Sequence, residues 1–286
     1  MVGLASKGVS SRVAIVTGSN QGIGFFIALQ LALSGKFGNI ILACRNANRG
    51  VAAVESIKAE LINAGGGKVD GGVSLSYEPL TLGDVTSHEE FAKKMEKSFG
   101  KVDVLVNNAA MAFKAADPTP FTEQTKPTLD INFRGTVDFT ERMLPLIRKG
   151  SDPRIVNVAS MSGRLSQLSE PLQKKFSSPN LTMEELHKLV DQFEADVQAG
   201  VHRKNGYGNS NYGMSKLSLI AATKIWSREE PTVKVNCCCP GYCATSMSSY
   251  QGSRPPEEGA RNAVIPATMD NPPTGAYFSN FNVAAW

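Results

Sequence analysis

Arg12-Val-Ala-Ile-Val-Thr-Gly-Ser-Asn-Gln-Gly-Ile-Gly-Phe-Phe-Ile-Ala-Leu-Gln-Leu-Ala-Leu33 contains an apolar run, a glycine-rich break and a second apolar run. Val13 to Val16 reads as a buried strand, Thr17 to Gly24 as a tight turn, and Phe25 to Leu33 as a strongly apolar helix. The glycines have a physical purpose. A turn that aims a helix N-terminus needs residues without a β-carbon, and a phosphate must approach bare backbone N–H groups. The ligand suited to Gly18, Asn20, Gln21, Gly22, Ile23 and Gly24 is therefore a dinucleotide pyrophosphate. The spacing is Gly-x-x-x-Gly-x-Gly rather than the commoner Gly-x-Gly-x-x-Gly, so the strand before and the helix after carry the argument.

Outward from this unit, strands and helices alternate. Strands are expected at Asn39–Cys44, before Leu82-Gly-Asp-Val-Thr86, at Val102–Val106, Ile155–Val158 and Val233–Cys238, with a last one at Ala276–Phe278. Helices are expected at Asn48–Ala64, after a Ser87/Glu90 capping box, from the Pro118/Pro120 loop to Gly150, and from Tyr212 onward. A glycine cluster at Gly65–Gly67 and Gly71–Gly72 reads as a flexible loop. Between about residues 164 and 206 a polar insertion holds one amphipathic helix, capped by Thr182 and Glu185, with Leu186, Leu189, Val190, Phe193 and Val197 on one stripe. The pattern predicts one α/β domain over residues 1–286 with a doubly wound parallel sheet, whose ligands bind beyond the C-terminal strand ends. Gly18, Arg45, Asp84, Asn107, Ser160 and Gly241 each follow a different strand.

Composition narrows the class. The net charge of +4 over 286 residues, without a long basic run, gives no reason to expect nucleic acid or an anionic membrane as partner. No apolar stretch is long enough to span a bilayer, and Met1–Ser11 lacks the hydrophobic core of a secretory signal, so a cytoplasmic protein is expected. Three of the five cysteines are consecutive, Cys237 to Cys239, with Cys243 nearby and Cys44 distant. Strand alternation sends such neighbours to opposite faces, and no histidine lies close in sequence. Reduced, buried thiols and no metal are expected.

Thr17–Gly24, Asp84-Val85, Asn107-Asn-Ala109, Asn132, Ser160, Tyr212-x-x-x-Lys216 and Pro240-Gly241 stand in the order found in short-chain dehydrogenases/reductases, and the chain resembles that family from Arg12 onward. The long insertion before Tyr212, Phe113-Lys-x-Ala-Asp-Pro-Thr-Pro-Phe121, Cys238-Cys-Pro-Gly-Tyr242 and Trp286 make it most similar to the monomeric NADPH-dependent carbonyl reductases. The resemblance implies a Rossmann-type fold, an NADP(H) cofactor, a small carbonyl substrate and a monomer. It places Asp84 and Val85 around the adenine, Asn107 and Ala109 along the cofactor trough with Pro240 and Gly241, and Thr245 at the nicotinamide amide. It also gives Asn132 a water that joins Lys216 to solvent. Two departures stand out. Gln21 replaces a Lys usual in the carbonyl reductases, and Ala110 replaces a glycine usual in the family.

The residue types fit the chemistry independently. Delivering hydride to a carbonyl needs a proton at the oxygen, and a phenol with a pKa of about 10 is a reluctant donor near neutrality. Lys216, one helical turn from Tyr212, is expected to depress that pKa. Ser160 is expected to hold the carbonyl oxygen as charge develops. Arg45, about 20 positions past the turn where an acid would select NAD, suits the 2′-phosphate of NADP, with Arg49 as a second contact. Met111, Phe113, Met161, Tyr242 and Met247 are expected to line an apolar substrate pocket. The rival is a dinucleotide-binding regulatory protein that keeps the fold and does no chemistry.

Overall fold

All five residues of β1, Val13–Thr17, are buried, because helices cover both faces of the sheet at this strand. The computed structural model describes residues 11–64, 72–114 and 116–286. The glycines at 65–67 and Gly71 lie outside these, as does nearly all of the segment 1–11. Strands β2 (Asn39–Cys44), β3 (Ser74–Pro79), β4 (Val104–Asn107), β5 (Arg154–Val158), β6 (Lys234–Cys239), β7 (Tyr277–Ser279) and β8 (Asn282–Ala284) join β1 in one sheet of order β3-β2-β1-β4-β5-β6-β7-β8. Pairing is parallel from β3 to β7. The short strand β8 turns back antiparallel on β7 and was not foreseen, since three residues carry too little pattern to distinguish from loop.

Helices α1 (Gly22–Leu33), α2 (Ala47–Ala64) and α9 (Pro256–Thr268) cover one face. The other is covered by α3 (Val85–Phe99), α4 (Phe121–Leu129), α5 (Gly135–Ile147) and α8 (Asn211–Glu229). Cys237 and Cys239 pack on one side of β6 and Cys238 on the other; all five cysteines are free and buried. Among the described residues no group of His, Cys, Asp or Glu is placed to hold a metal. Nor, among the described residues, is any helix long and apolar enough to cross a membrane.

Three local expectations are corrected. Helix α1 starts at Gly22 rather than Phe25. At Gly24 a β-carbon would come within 2.4 Å of the Gly18 carbonyl oxygen, so the third glycine lets the first helical turn pack on the glycine turn itself. The cap of α3 is Asp84 and not Ser87. The Asp84 carboxylate accepts from the Ser87 N–H at 3.2 Å, while the Ser87 hydroxyl accepts from the Thr81 N–H at 2.9 Å. A carboxylate at a helix N-terminus has the better charge for that place. The long helix after Pro120 is interrupted by a π-helical turn, Asp130–Arg134, between α4 and α5.

The insertion forms a 3₁₀ turn (Leu165–Gln167), α6 (Glu170–Phe176) and α7 (Met183–Gln198). The reciprocal Thr182/Glu185 cap is present. Leu186, Val190, Phe193 and Val197 are buried in the core cluster on the α8 side, each worth roughly 1.5–3 kcal/mol of transfer energy. Arg134 joins the insertion to the π-turn. Its guanidinium bonds Asp130 at 2.7 Å, Asp191 at 2.6 Å and Glu194 at 2.7 Å.

Candidate active site

A cleft of about 400 Å³ opens at the C-terminal edge of the sheet, between the glycine turn and the segment after β6. Gly18, Asn20, Gln21, Gly22, Ile23 and Gly24 line it, together with Arg45, Ala109, Ala110, Met111, Tyr212, Lys216, Pro240, Thr245 and Met247. Gly18 and Gly22 have φ of +64° and +57°, a backbone state open to residues without a β-carbon. Thr17 fixes the turn to the next strand end. Its hydroxyl accepts the N–H groups of Asn108 and Ala109, both at 2.9 Å, and the Asn108 amide donates to the Thr17 and Gly18 carbonyls.

The turn is fitted for an anion. Gln21 is the N-cap of α1 yet its side chain makes no capping bond, and no acid stands in the first turn. The first N–H groups of the helix thus keep their unmet demand for an acceptor, with the positive end of the dipole behind them. Gln21 instead donates to the Ser246 hydroxyl at 3.2 Å, tying the turn to the segment after β6. Arg45 and Arg49, both exposed, stand on the cleft wall beyond. The residues present therefore fit a dinucleotide with an additional phosphate.

Several expected site residues lie elsewhere. Asn107 is buried in the sheet, where its amide donates to Thr140 at 2.9 Å and Asn157 at 2.8 Å. Asn108, next along, supplies the side chain that meets the cleft. Asp84 is committed to capping α3 and Val85 is half exposed, while Leu80, Thr81 and Leu82 form the wall there. Gly241, with φ +84°, turns the chain beside the cleft. Met161, Tyr242 and Met247 are exposed, at 63%, 57% and 41%. Of the expected apolar pocket, Met111 and Met247 line the cleft; Phe113, half-buried, Met161 and Tyr242 do not.

The expected catalytic residues come together from three elements. Ser160 lies two residues past β5, and its hydroxyl caps the following 3₁₀ turn by accepting from the Ser162 N–H at 3.1 Å. Tyr212 opens α8 and hydrogen-bonds Ser160. Lys216 is buried at 2% exposure one turn further on, its ammonium 5.7 Å from the centre of the Tyr212 ring and donating to the Val158 carbonyl at 2.7 Å. Asn132, on the π-turn, accepts from the Met111 N–H at 2.8 Å and donates to the Met111 carbonyl at 2.8 Å and the Ser215 hydroxyl at 3.1 Å. It braces the cleft wall against α8.

The electrostatics differ from expectation. Burial pushes the Tyr212 phenol up to about 12; the Cys239 thiol adds to this and the Ser160 hydrogen bond pulls back. Burial also pushes the Lys216 ammonium down to about 8, offset in part by the thiols of Cys238 and Cys239. Desolvation disfavours the charged form of each.

The family profile described as short chain dehydrogenase matches residues 12–172, the segment from the glycine turn through Ser160 into the insertion. The chain belongs to the short-chain dehydrogenase family. The chain is 38% identical over 287 residues to a human protein named carbonyl reductase (NADPH) 1, covering 96% of this chain and 98% of that one. It is 36% identical over 289 residues to the pig protein of that name, covering 97% and 95%. Among solved structures, salutaridine reductase from Papaver somniferum superimposes with a TM-score of 0.82 at 29% identity, covering 93% of this chain and 99% of that one. A menthone neomenthol reductase from Mentha piperita superimposes at 0.76, with 27% identity and coverage of 94% and 98%.

Some parts of this short-chain dehydrogenase site had no sequence motif. Arg49, expected as a second contact beside Arg45, stands in the first turn of α2 on the same cleft wall. The contributions of Ser215, Ser246 and Cys239 had no usable signal. Cys239 accepts the N–H groups of Met161 at 3.1 Å and Gly241 at 3.4 Å through its sulfur, so it ties together the turns that follow β5 and β6.

Proposed function

We propose that this short-chain dehydrogenase reduces an apolar or aromatic aldehyde, ketone or quinone to the alcohol with NADPH, with Tyr212 as the proton donor. The observation that carries the reading is that Tyr212, hydrogen-bonded to Ser160, and Lys216 line one cleft with the uncapped N-terminus of α1. When bound, the reduced nicotinamide supplies the hydride. The chain's own residues do the rest. Tyr212 and Ser160 present two hydroxyls to one oxygen of the substrate, so that negative charge developing there is met by donors already in place. Tyr212 gives up its proton to that oxygen, and protonated Lys216 stabilises the phenolate left behind. Asn132 holds Met111 and Ser215 fixed around it. The test is consumption of NADPH against a panel of quinones, aromatic aldehydes, dicarbonyls and bulky cyclic ketones; a parent protein that binds NADPH and reduces none of them favours the regulatory reading.

NADP(H) is the cofactor, and Arg45 with Arg49 selects it. Arg45→Asp replaces a charge-assisted phosphate contact with repulsion, and a bond to a charged group is worth about 1.5–3 kcal/mol. The NADPH over NADH preference should accordingly fall by roughly tenfold or more. Equal kcat/KM for both cofactors in the parent would refute the assignment.

The insertion supports a monomer. Helix α7 lays its apolar stripe over α8 and α4 and its acids on Arg134, so the long helices have one face covered from within the chain. Light scattering at assay concentration should give the mass of one chain; a dimer or tetramer mass overturns this.

A further inference from the structure

Ser160 and Tyr212 come from different elements, with the whole insertion between them in sequence, yet they must present their hydroxyls to one atom. The contacts that set their separation converge on Gln167, at the end of the first 3₁₀ turn of the insertion. Its amide nitrogen donates to the Ser162 carbonyl at 2.8 Å and the Arg164 carbonyl at 3.1 Å, both on the turn that follows Ser160. It also reaches the carbonyl of Gly213, the residue after Tyr212, at 3.4 Å. We propose that Gln167 is a positioning residue that clasps the Ser160 turn to the first turn of α8 and so fixes the Ser160–Tyr212 pair. The assignment rests on the catalytic reading of that pair.

The surroundings are shaped for the clasp. A β-carbon on Gly213 would come within 2.7 Å of the Gln167 side-chain oxygen, and one on Gly208 within 3.2 Å of its β-carbon, so the amide sits in a slot between two glycines. On the opposite side the Ser160 turn lies directly on the helix backbone. At Gly163 a β-carbon would come within 2.7 Å of both the Lys216 carbonyl carbon and the Leu217 nitrogen. The Trp286 indole N–H then donates to the Gly163 carbonyl at 2.8 Å, so the turn is held from two directions. Ser162, Gly163, Arg164 and Gly213 contribute carbonyls alone to these bonds, so the clasp needs donors from side chains. Gln167 and Trp286 provide the donors.

The experiment compares Gln167→Glu and Gln167→Met with the parent and with Tyr212→Phe. Glutamate keeps the shape and aims an ionised oxygen at three carbonyls; methionine keeps the bulk and removes the donor. Both should lower kcat by about ten- to a hundredfold, the cost of a misplacement on the order of 1 Å. NADPH affinity by fluorescence titration and the melting temperature should stay close to the parent's. The loss should fall on kcat while the KM for NADPH stays unchanged, a split that general loosening of the fold does not produce. Trp286→Phe should lower kcat by less. If kcat is unchanged in Gln167→Glu and Gln167→Met while Tyr212→Phe abolishes turnover, the clasp is wrong and the catalytic reading stands. If Tyr212→Phe turns over like the parent, the catalytic reading falls. A fall in kcat matched by lost NADPH binding or a lowered melting temperature makes Gln167 a structural residue and overturns the inference.

Discussion

Tyr212→Phe should lower carbonyl turnover by ~10² to 10⁴-fold, the usual contribution of a positioned general acid, while NADPH affinity hardly changes. The substitution keeps the ring, its packing and its place over Lys216, and removes the hydroxyl that meets Ser160. On the proposed reading, cofactor binding rests on the glycine turn, the uncapped start of α1 and the two arginines, which line the same cleft. The check is paired: turnover of the best carbonyl and a fluorescence titration with NADPH, both on the purified variant. A variant that reduces carbonyls as fast as the parent removes Tyr212 from the mechanism.

Lys216→Met should be at least as damaging to turnover, and it should also alter how stability responds to pH. Turnover falls because the buried ammonium is the cation that faces the phenolate as it forms. Cofactor affinity should weaken as well, since Lys216 lines the cleft. Burial lowers the lysine from its ordinary 10.5 to about 8. Between those values the unfolded chain binds a proton that the folded chain has lost, so stability rises with pH across that window. The penalty for the buried charge is fully present below about pH 8. The displacement is worth roughly 3 kcal/mol, given ~1.4 kcal/mol per unit. The parent should therefore gain stability relative to Lys216→Met as pH rises from 7 to 10, measured by denaturant unfolding of each protein without cofactor. A difference that stays flat, or that shrinks with rising pH, shows that Lys216 remains charged throughout. The Val158 carbonyl left without its donor adds a cost to the variant that does not depend on pH, and so leaves the slope intact.

The sequence by itself determined the elements whose signal is local. An apolar run followed by glycines and a second apolar run can form little other than a strand, a phosphate-sized turn and a helix. Alternation of strands and helices then required a mostly parallel sheet, with ligands at its C-terminal edge. The spacing of Tyr212 and Lys216 placed both on one helical face, and the Thr182/Glu185 cap fixed where α7 begins. Tertiary structure decided what depends on neighbours distant in sequence. Asn107 and Asn108 are equivalent as residues, but strand alternation together with Thr140 and Asn157 drew the first into the sheet and left the second to the cleft. Asp84 displaced Ser87 as the cap of α3 because Thr81 took the serine hydroxyl. The π-turn that aims Asn132, the clasp at Gln167 and the depth at which Lys216 is buried rest on contacts between segments from 21 to 83 residues apart. Such contacts leave no periodicity in the chain. The acid strength of the phenol belongs with them, since desolvation is a property of everything packed around a group, and the Tyr212–Lys216 spacing specifies only their proximity.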